Sequence, residues 1–304
     1  MSRTSQNVTP KREKKPMTIQ QKIALRKVPG DIVRHLILAA LAFIWLIPII
    51  WLLFTSFSAD PGRNVLRFFP IEYSLNNYQQ LLFNPGTVVN FPAWFMNTFI
   101  VAVFTCLISS MFVLMIAYTM SCMRFRGRRA LMNFGVILGL FPGFLTMIAI
   151  YYTLKLMGLT NTHFGLILVY SGASGLGYLI AKGFFDTVPE SMLQAARIDG
   201  ASEATIFWKI ILPMSRPIIV YTVISSFLTP WMDFVFANII IKERIPQYYT
   251  VAMGLYRMLD KSSVNIYFAQ FCAGGVIVAI PISILFVIMQ KFYVESVAGG
   301  SVKG

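Results

Sequence analysis

Charged side chains are scarce in this chain. Asp, Glu, Lys and Arg together make up 12% of its 304 residues, about half of the share usual in soluble domains. Apolar residues make up 57%, which is typical of a polytopic membrane protein and excludes an ordinary soluble domain. Most of the charge that is present is positive, and the formal net charge is +14. We interpret this excess as basic residues on the cytoplasmic face of a membrane protein rather than as a nucleic-acid surface.

Residues that build metal centres, disulfides or catalytic sites are also rare. The three cysteines, Cys106, Cys122 and Cys272, lie far apart in or beside apolar runs, and the two histidines, His35 and His163, stand alone. The sequence has no Gly-x-x-x-x-Gly-Lys-Ser/Thr phosphate loop, no paired carboxylates and no Ser/His/Asp set. We therefore expect no catalytic residue, no metal and no cofactor on this chain.

Long apolar runs, by contrast, recur six times and predict an all-α protein with six transmembrane helices. We expect these spans at about 36–54, 94–120, 130–154, 163–184, 217–241 and 267–292. The chain then divides into a basic tail (1–34), a first helix with an outer loop (35–93), a five-helix core (94–293) and a C-terminal tail (294–304).

Glycines within the third and fourth runs indicate close helix packing. They are Gly135, Gly139 and Gly143 at four-residue spacing, and then Gly172, Gly175 and Gly177. A hinge at Pro142 is the alternative for the third run.

The distribution of basic residues predicts the orientation in the plasma membrane. With six spans, 19 of the 26 Lys and Arg residues fall on the side of the two termini and seven on the other. The positive-inside rule then places both termini in the cytoplasm.

A charged segment, 186–215, separates the fourth and fifth runs on the cytoplasmic side; we call it the 186–215 loop. Pro189 and Glu190 favour the start of a helix, and Gly200 suits its close. Ser202 can cap a second helix, which Pro213 ends. The sequence thus predicts two short helices joined at Gly200.

These two helices are amphipathic, with apolar faces formed by Met192, Leu193 and Ala196 and by Ile206, Phe207, Ile210 and Ile211. Between Asp186 and Lys209, four acidic residues outnumber two basic ones. A helix that lies among lipid headgroups usually has a basic polar face. The charge pattern therefore favours a protein partner over a membrane surface.

The spacing Gln194-Ala195-Ala196, Gly200, Ile210, Leu212-Pro213 resembles the EAA loop of permease subunits of binding-protein-dependent ABC importers. Gln194 stands where a glutamate is usual, so an ionic contact has to use Glu190, Arg197 or Asp199. Further segments resemble sugar permeases, most closely the smaller permease of maltose/maltodextrin importers; these segments are 75–78, 96–98, 229–234 and 297–304.

This resemblance implies a type I ABC importer permease fold and a set of partners. These are a second homologous permease, a cytoplasmic ATPase dimer that carries ATP-Mg, an extracellular sugar-binding protein and membrane lipid, with no nucleic acid. The expected ATPase-coupling residues are Glu190, Gln194, Ala195, Ala196, Arg197, Asp199, Gly200, Ile210, Leu212 and Pro213. The resemblance also implies a sugar, maltose or maltodextrin, as the transported solute; another oligosaccharide or a glycerol phosphate is the alternative. A membrane-embedded lipid-linked sugar transferase is a remote alternative function.

A candidate solute path lies near the outer end of the fifth run. Asp233 comes 17 residues after Arg216, about 25 Å further along a helix. Trp231, Asp233 and Asn238 can offer a sugar a stacking face and hydrogen bonds. The alternative is a helix-packing network with a basic residue of the partner permease, at a helix break near Pro230. The outer segment 242–265 is expected to meet the binding protein if the resemblance holds, or to be a linker.

Overall fold

The computed structural model describes residues 19–62, 67–86, 88–173, 177–242 and 245–300, with side chains described in 30–62, 67–86, 88–172, 177–242 and 245–290. Within these ranges the protein is helical, and the one extended pairing is an isolated bridge between Ser58 and Tyr73. The helices are α1 (Ile19–Ser56), α2 (Asn76–Phe83), α3 (Phe91–Cys122), α4 (Arg128–Gly139), α5 (Gly143–Leu156), α6 (His163–Ala173), α7 (Gly177–Phe185), α8 (Glu190–Ile198), α9 (Glu203–Met214), α10 (Arg216–Met232), α11 (Val235–Ile240), α12 (Val251–Met258) and α13 (Val264–Gly300).

The helices account for the predicted spans. Three of them contain stretches long and apolar enough to cross a membrane, namely Gly30–Ser56, Phe91–Cys122 and Val264–Gln290. The count reaches six when each of three bent helix pairs is taken as one span. The chain divides into two compact units between Trp51 and Leu52.

In the first unit, α1 begins at Ile19, inside the stretch that we predicted as a tail (1–34). Residues 1–18, the remainder of that tail, lie outside the described residues. From Gly30 onward the helix is strongly apolar, with a mean hydropathy of 2.8. The length and composition of α1 fit a membrane span that begins at Gly30 and is preceded by a helical segment, 19–29.

The predicted third span, at about 130–154, is bent, because α4 and α5 meet at an angle of 101°. Pro142 stands immediately before α5; it has no N–H to donate, so α4 does not continue through it. Of the third-run glycines, Gly135 lies against the Tyr178 hydroxyl, whereas a Cβ at Gly143 would meet no atom within 4 Å. The three glycines thus do not form one packing face.

The fourth span is also bent, by 42° between α6 and α7. A Cβ at Gly177 would lie 3.7 Å from Val113, and one at Gly172 would meet nothing within 4 Å. Gly175 lies outside the described residues. Of these two described glycines, only Gly177 would place a Cβ in contact with another helix, and that contact is at an ordinary van der Waals distance.

Helix α3 is the centre of the second unit and packs against α6, α7 and α10. Its first two turns hold segment 242–265 in place. Trp94 Nε1 donates to the Pro246 carbonyl (2.6 Å), Asn97 donates to the Gln247 carbonyl (2.7 Å), and Thr98 Oγ1 accepts from the Val251 N–H (2.8 Å).

Segment 242–265 therefore contains a packed helix, α12, and is not a simple linker. Val251, Met253 and Met258 of α12 are buried. A side chain at Gly254 would overlap the indole ring of Trp94, so this glycine permits α12 to approach α3.

Candidate functional site

The two helices predicted for the 186–215 loop are present as α8 and α9. Pro189 precedes α8 as its N-cap residue, and Glu190 opens the helix. Gly200 follows it with a φ of +80°, a left-handed conformation that favours glycine. Ser202 Oγ then accepts from the Thr205 N–H (3.2 Å) and caps α9, as the sequence indicates.

Helix α9 contains a π-helical turn, Phe207–Ile211, just before Pro213. A proline in a helix clashes with the carbonyl four residues earlier, here Lys209, and it donates no hydrogen bond to that carbonyl. Both effects explain the wider turn at this place. At Ser215 the chain turns by 87° into α10. The loop is thus joined to α10 through a sharp corner.

The apolar faces of the loop are buried against three membrane helices. Leu193 of α8 and Ile206, Phe207 and Ile211 of α9 belong to a cluster formed with α3, α7 and α10. The other buried members are Val113, Leu114, Ala117, Tyr118, Tyr178, Ala181, Phe185 and Ile218. Met192, predicted on the apolar face, is instead 38% exposed. This packing attaches the loop to the end of α3, with which it has no short chain connection.

A polar cluster strengthens the same attachment. Arg197 Nε donates to Glu203 Oε1 (2.8 Å), which ties α8 to α9 across the Gly200 turn. Arg197 also donates to the Cys122 carbonyl (3.0 Å), and the Tyr118 hydroxyl donates to Glu203 Oε2 (2.5 Å). We call Tyr118, Arg197 and Glu203 the loop clamp. It joins both loop helices to the last turns of α3.

The hydrogen bond from Arg197 lowers the pKa of Glu203 below its usual value. Desolvation opposes this shift, and the Tyr118 hydroxyl adds to it. The carboxylate is thus ionised at neutral pH, and the clamp contains a formed ion pair.

Two further ion pairs lie beside the clamp. Glu190 pairs with Arg124 and accepts a hydrogen bond from Gln194 (3.3 Å). Lys182 pairs with Asp186 (2.6 Å), whose other oxygen accepts from the Ser121 hydroxyl (2.6 Å). Glu190 and Arg197 are therefore occupied within the chain. No ion pair to Asp199 occurs among the residues that the structure describes, so of the three expected ionic contacts Asp199 remains open to a partner.

The outward side of α8 is exposed and partly apolar. Gln194, Ala195, Asp199 and Gly200 are exposed, and Ile198 is 85% exposed at the end of the helix. We call Gln194, Ala195, Ile198 and Asp199 the α8 outer face. An exposed aliphatic side chain beside polar ones is a common feature of protein contact sites. Among the remaining expected coupling residues, Ala196, Ile210 and Leu212 are half-buried and Pro213 is exposed.

Sequence reasoning missed two parts of this site. Ile198 was not selected, although it is an apolar residue on the polar side of an amphipathic helix. Tyr118 gave no signal, because a tyrosine near the end of an apolar run is ordinary.

The candidate solute-path residues lie at a break between α10 and α11. Asp233 Oδ1 accepts from the Phe236 N–H (3.1 Å), Oδ2 accepts from the Ala237 N–H (3.3 Å), and the Tyr170 hydroxyl donates to Oδ2 (2.6 Å). Asp233 thus caps α11 and links it to α6. This arrangement matches the packing alternative more closely than an open binding group.

Trp231, the second candidate, is 4% exposed and packs against Phe95 and Phe227, with ring centroids 5.3 and 6.0 Å apart. Neither of its faces is open to stack on a sugar in this conformation. Asn238 is half-buried on α11. A role of these residues as solute ligands stays a prediction.

Comparison with known proteins agrees with this architecture. A family model described as "Binding-protein-dependent transport system inner membrane component" matches residues 114–298, more than half of the chain and including the whole 186–215 loop. The galactooligosaccharides transport system permease protein GanQ of Bacillus subtilis (strain 168) is 30% identical over 273 residues, which cover 89% of this chain and 94% of GanQ. The maltodextrin transport system permease protein MalD of Streptococcus pneumoniae is 29% identical over 286 residues, which cover 93% of this chain and 99% of MalD.

A solved structure confirms the fold. The crystal structure of a bacterial ABC transporter involved in the import of the acidic polysaccharide alginate contains a chain that superposes with a TM-score of 0.67. That match has 24% sequence identity and covers 88% of this chain and 98% of the other. The predicted importer permease fold and the resemblance to importer permeases are both confirmed. This chain belongs to the family of inner-membrane components of binding-protein-dependent transport systems.

Proposed function

We propose that this chain is a permease subunit of an ABC importer for oligosaccharides, with maltodextrins as the first candidates. The observation that carries the proposal is the 186–215 loop, whose inner side is fixed to α3, α7 and α10 and whose α8 outer face is exposed. Such an element can receive a force from a partner and transmit it to the membrane helices. The relatives named for maltodextrin and galactooligosaccharide transport support the sugar class.

In this proposal both termini and the loop face the cytoplasm. A second permease completes the membrane path, and two ATPase subunits bind ATP-Mg and grip the two loops. Their closure draws the loops together, which closes the cytoplasmic mouth and opens the outer one. An extracellular sugar-binding protein then delivers the solute, with segment 242–265 as a contact surface. The chain itself binds no nucleotide and supplies positioning and movement.

The α8 outer face is the part that we assign to the ATPase. Ile198 enters an apolar site on the partner, and Asp199 offers the ionic contact that glutamate usually supplies at the position of Gln194. The bonds of Glu190 and Arg197 within the chain assign them to holding the loop rather than to the partner.

Substituting Ile198 tests the coupling role. We predict that Ile198→Ser weakens co-purification of the ATPase and lowers uptake of labelled maltotriose in a strain that lacks the native chain. Leu156→Ser is the matched control, since Leu156 is 90% exposed and also ends a helix, α5. If Ile198→Ser assembled and transported normally, the assignment of this face would be wrong.

The solute is tested separately by competition. Excess unlabelled maltotriose, galactotriose or glycerol phosphate is added to the uptake assay of the wild-type transporter. Strong competition by maltotriose supports a maltodextrin importer, and stronger competition by galactotriose assigns the chain to galactooligosaccharides. Uptake of no sugar, together with sugar transfer to a lipid carrier, would favour the transferase alternative.

A further inference from the structure

A cavity of about 210 Å³ lies between α3, α10 and the α6–α7 pair, in the predicted membrane region. Of the ten described residues that line it, eight carry a hydroxyl group and none carries a charge. This lining is unusual for a membrane region, where side chains are mainly apolar. It favours an occupant that is polar and uncharged.

Helix α10 contributes a stripe of exposed hydroxyls to this cavity. Tyr221, Ser225 and Thr229 recur at four-residue spacing, so they lie on one face of the helix, and all three are exposed. From Arg216, where α10 begins, Tyr221 lies about 8 Å and Thr229 about 20 Å along the helix. The hydrocarbon core of a bilayer is about 30 Å thick, so the stripe lies at mid-membrane depth.

Helix α3 supplies the opposite wall. Thr105 is fully buried there, and its hydroxyl has no hydrogen-bond partner among the described residues. An unpaired buried hydroxyl is unfavourable, and a solute hydroxyl or a water in the cavity would satisfy it. Ser109 and Ser226 hydrogen bond to each other (3.0 Å) and hold the two walls together.

The few charged side chains near the cavity indicate which class of solute it can bind. The nearest acid along the chain is Asp233, which follows the end of α10 about one turn beyond Thr229. Its oxygens are already bonded to Tyr170 and to the α11 backbone. Among the residues that the structure describes, no Lys or Arg lines the cavity. An acidic sugar would thus find no cation to pair with in this low-dielectric place. A neutral sugar needs hydroxyl partners, which the cavity provides.

We propose that Thr105, Tyr221, Ser225 and Thr229 form this chain's part of the solute path and bind the hydroxyl groups of a neutral oligosaccharide. We call these four residues the hydroxyl face. The inference rests on the proposed function as an oligosaccharide permease and adds the site and the charge class of the solute. It places the path on α3 and α10, below the Trp231–Asp233 position that the sequence suggested.

The test uses the complete transporter in proteoliposomes, with labelled maltotriose and galactotriose as probes. We expect Tyr221→Phe and Thr229→Val each to lower uptake at subsaturating sugar by about 2- to 10-fold, the effect of losing one hydrogen bond. ATP hydrolysis stimulated by the binding protein and co-purification of the second permease should stay unchanged.

Thr119→Val is the matched control. Thr119 Oγ1 donates to the Met115 carbonyl at 2.9 Å, just as Thr229 Oγ1 donates to the Ser225 carbonyl at 2.9 Å, but it does not line the cavity. The two substitutions therefore remove the same local hydrogen bond, and only one alters the hydroxyl face.

Four results would overturn the inference. Unchanged uptake in both variants would show that the hydroxyl face does not contact the solute. Loss of the second permease from the purified complex would make the face a subunit interface, held by hydrogen bonds between helices. Preference of the wild type for oligoalginate over both neutral probes would refute the neutral assignment and leave sugar import intact. Import of no sugar at all would refute the proposed function, and this inference with it.

Discussion

Replacing Gly200 by valine tests whether the 186–215 loop has to keep the shape of its turn. Gly200 has a φ of +80°, and a Cβ added there would meet no atom of the chain within 4 Å. Crowding within the chain is thus no part of the expected effect. The cost lies in the backbone, because a residue with a Cβ loses about 1–2 kcal/mol in the left-handed region. A β-branched residue such as valine is especially unfavourable there.

That cost predicts the size of the effect. A change of 1–2 kcal/mol alters a conformational equilibrium about 5- to 30-fold. The Gly200 turn sets the angle between α8 and α9, and the two helices are also held across it by Arg197 and Glu203. If ATPase coupling requires this angle, we predict that Gly200→Val lowers maltotriose uptake and sugar-dependent ATP hydrolysis by about this factor. Recruitment of the ATPase should weaken in parallel.

Two control variants distinguish the effect of backbone conformation at Gly200 from the effects of side-chain size and of position in the chain. Gly200→Asn adds a side chain of comparable size, but asparagine tolerates the left-handed region, so most activity should return. Gly158→Val introduces similar strain in the turn after α5, since Gly158 has a φ of +70° and no atom within 4 Å of an added Cβ. The Gly158→Val transporter should couple ATP hydrolysis to sugar uptake normally. The reasoning is refuted if Gly200→Val transports normally, if asparagine is as harmful as valine, or if Gly158→Val fails equally in coupling.

Two other predictions concern Glu203 and Asp233. Glu203→Gln should lower the thermal stability of the complex slightly, by up to about 1 kcal/mol, because both side chains of the Arg197–Glu203 pair are more than a third exposed. The pKa of Glu203 is lowered on folding, so the pair stabilises the loop above the usual carboxyl pKa of 4.5 and is lost only as pH falls through the lowered value. ATP hydrolysis by the assembled wild type should therefore show no transition from this pair between about pH 8 and about pH 5. Asp233→Ala should lower thermal stability by about 0.5–2 kcal/mol through loss of the α11 cap. Asp233→Asn should lose less, because its one amide oxygen can still accept from the Phe236 N–H, although its NH2 group cannot accept as Oδ2 does. A change of sugar preference in Asp233→Asn, with assembly intact, would instead make Asp233 a solute ligand.

The sequence predicted the features that depend on a few neighbouring residues. Gly200 and Ser202 define the turn and the cap of the loop because their effects act within one helical turn, and both are observed. The apolar runs predicted the spans for a similar reason, since each helix satisfies its own backbone groups and has to match only the bilayer. Inference from local residue types is therefore strongest for the loop and for the existence of the spans.

Features that depend on distant parts of the chain were not predicted. The loop clamp joins Tyr118 to Glu203 across 85 residues, and no local pattern indicates that pair. The break between α4 and α5 has a local cause in Pro142, but a proline in a membrane helix can also produce only a mild kink, so its 101° angle depends on tertiary packing. Asp233 was selected for its charge in an apolar run, and its partners Tyr170 and the α11 backbone emerge only when α6 and α10 are placed together.

The 186–215 loop packs against α3 and α10, the same two helices that carry the hydroxyl face, and this limits how the transporter can move. The loop packs on the ends of α3 and α10, while the cavity lies further along both. The Ser109–Ser226 hydrogen bond and the Cys106–Val223 contact (3.6 Å) hold these helices together at cavity depth. A force on the loop should therefore move α3 and α10 as one wall instead of separating them. We infer that the path widens and narrows where this wall faces the second permease, because relative sliding of α3 and α10 would break their shared contacts.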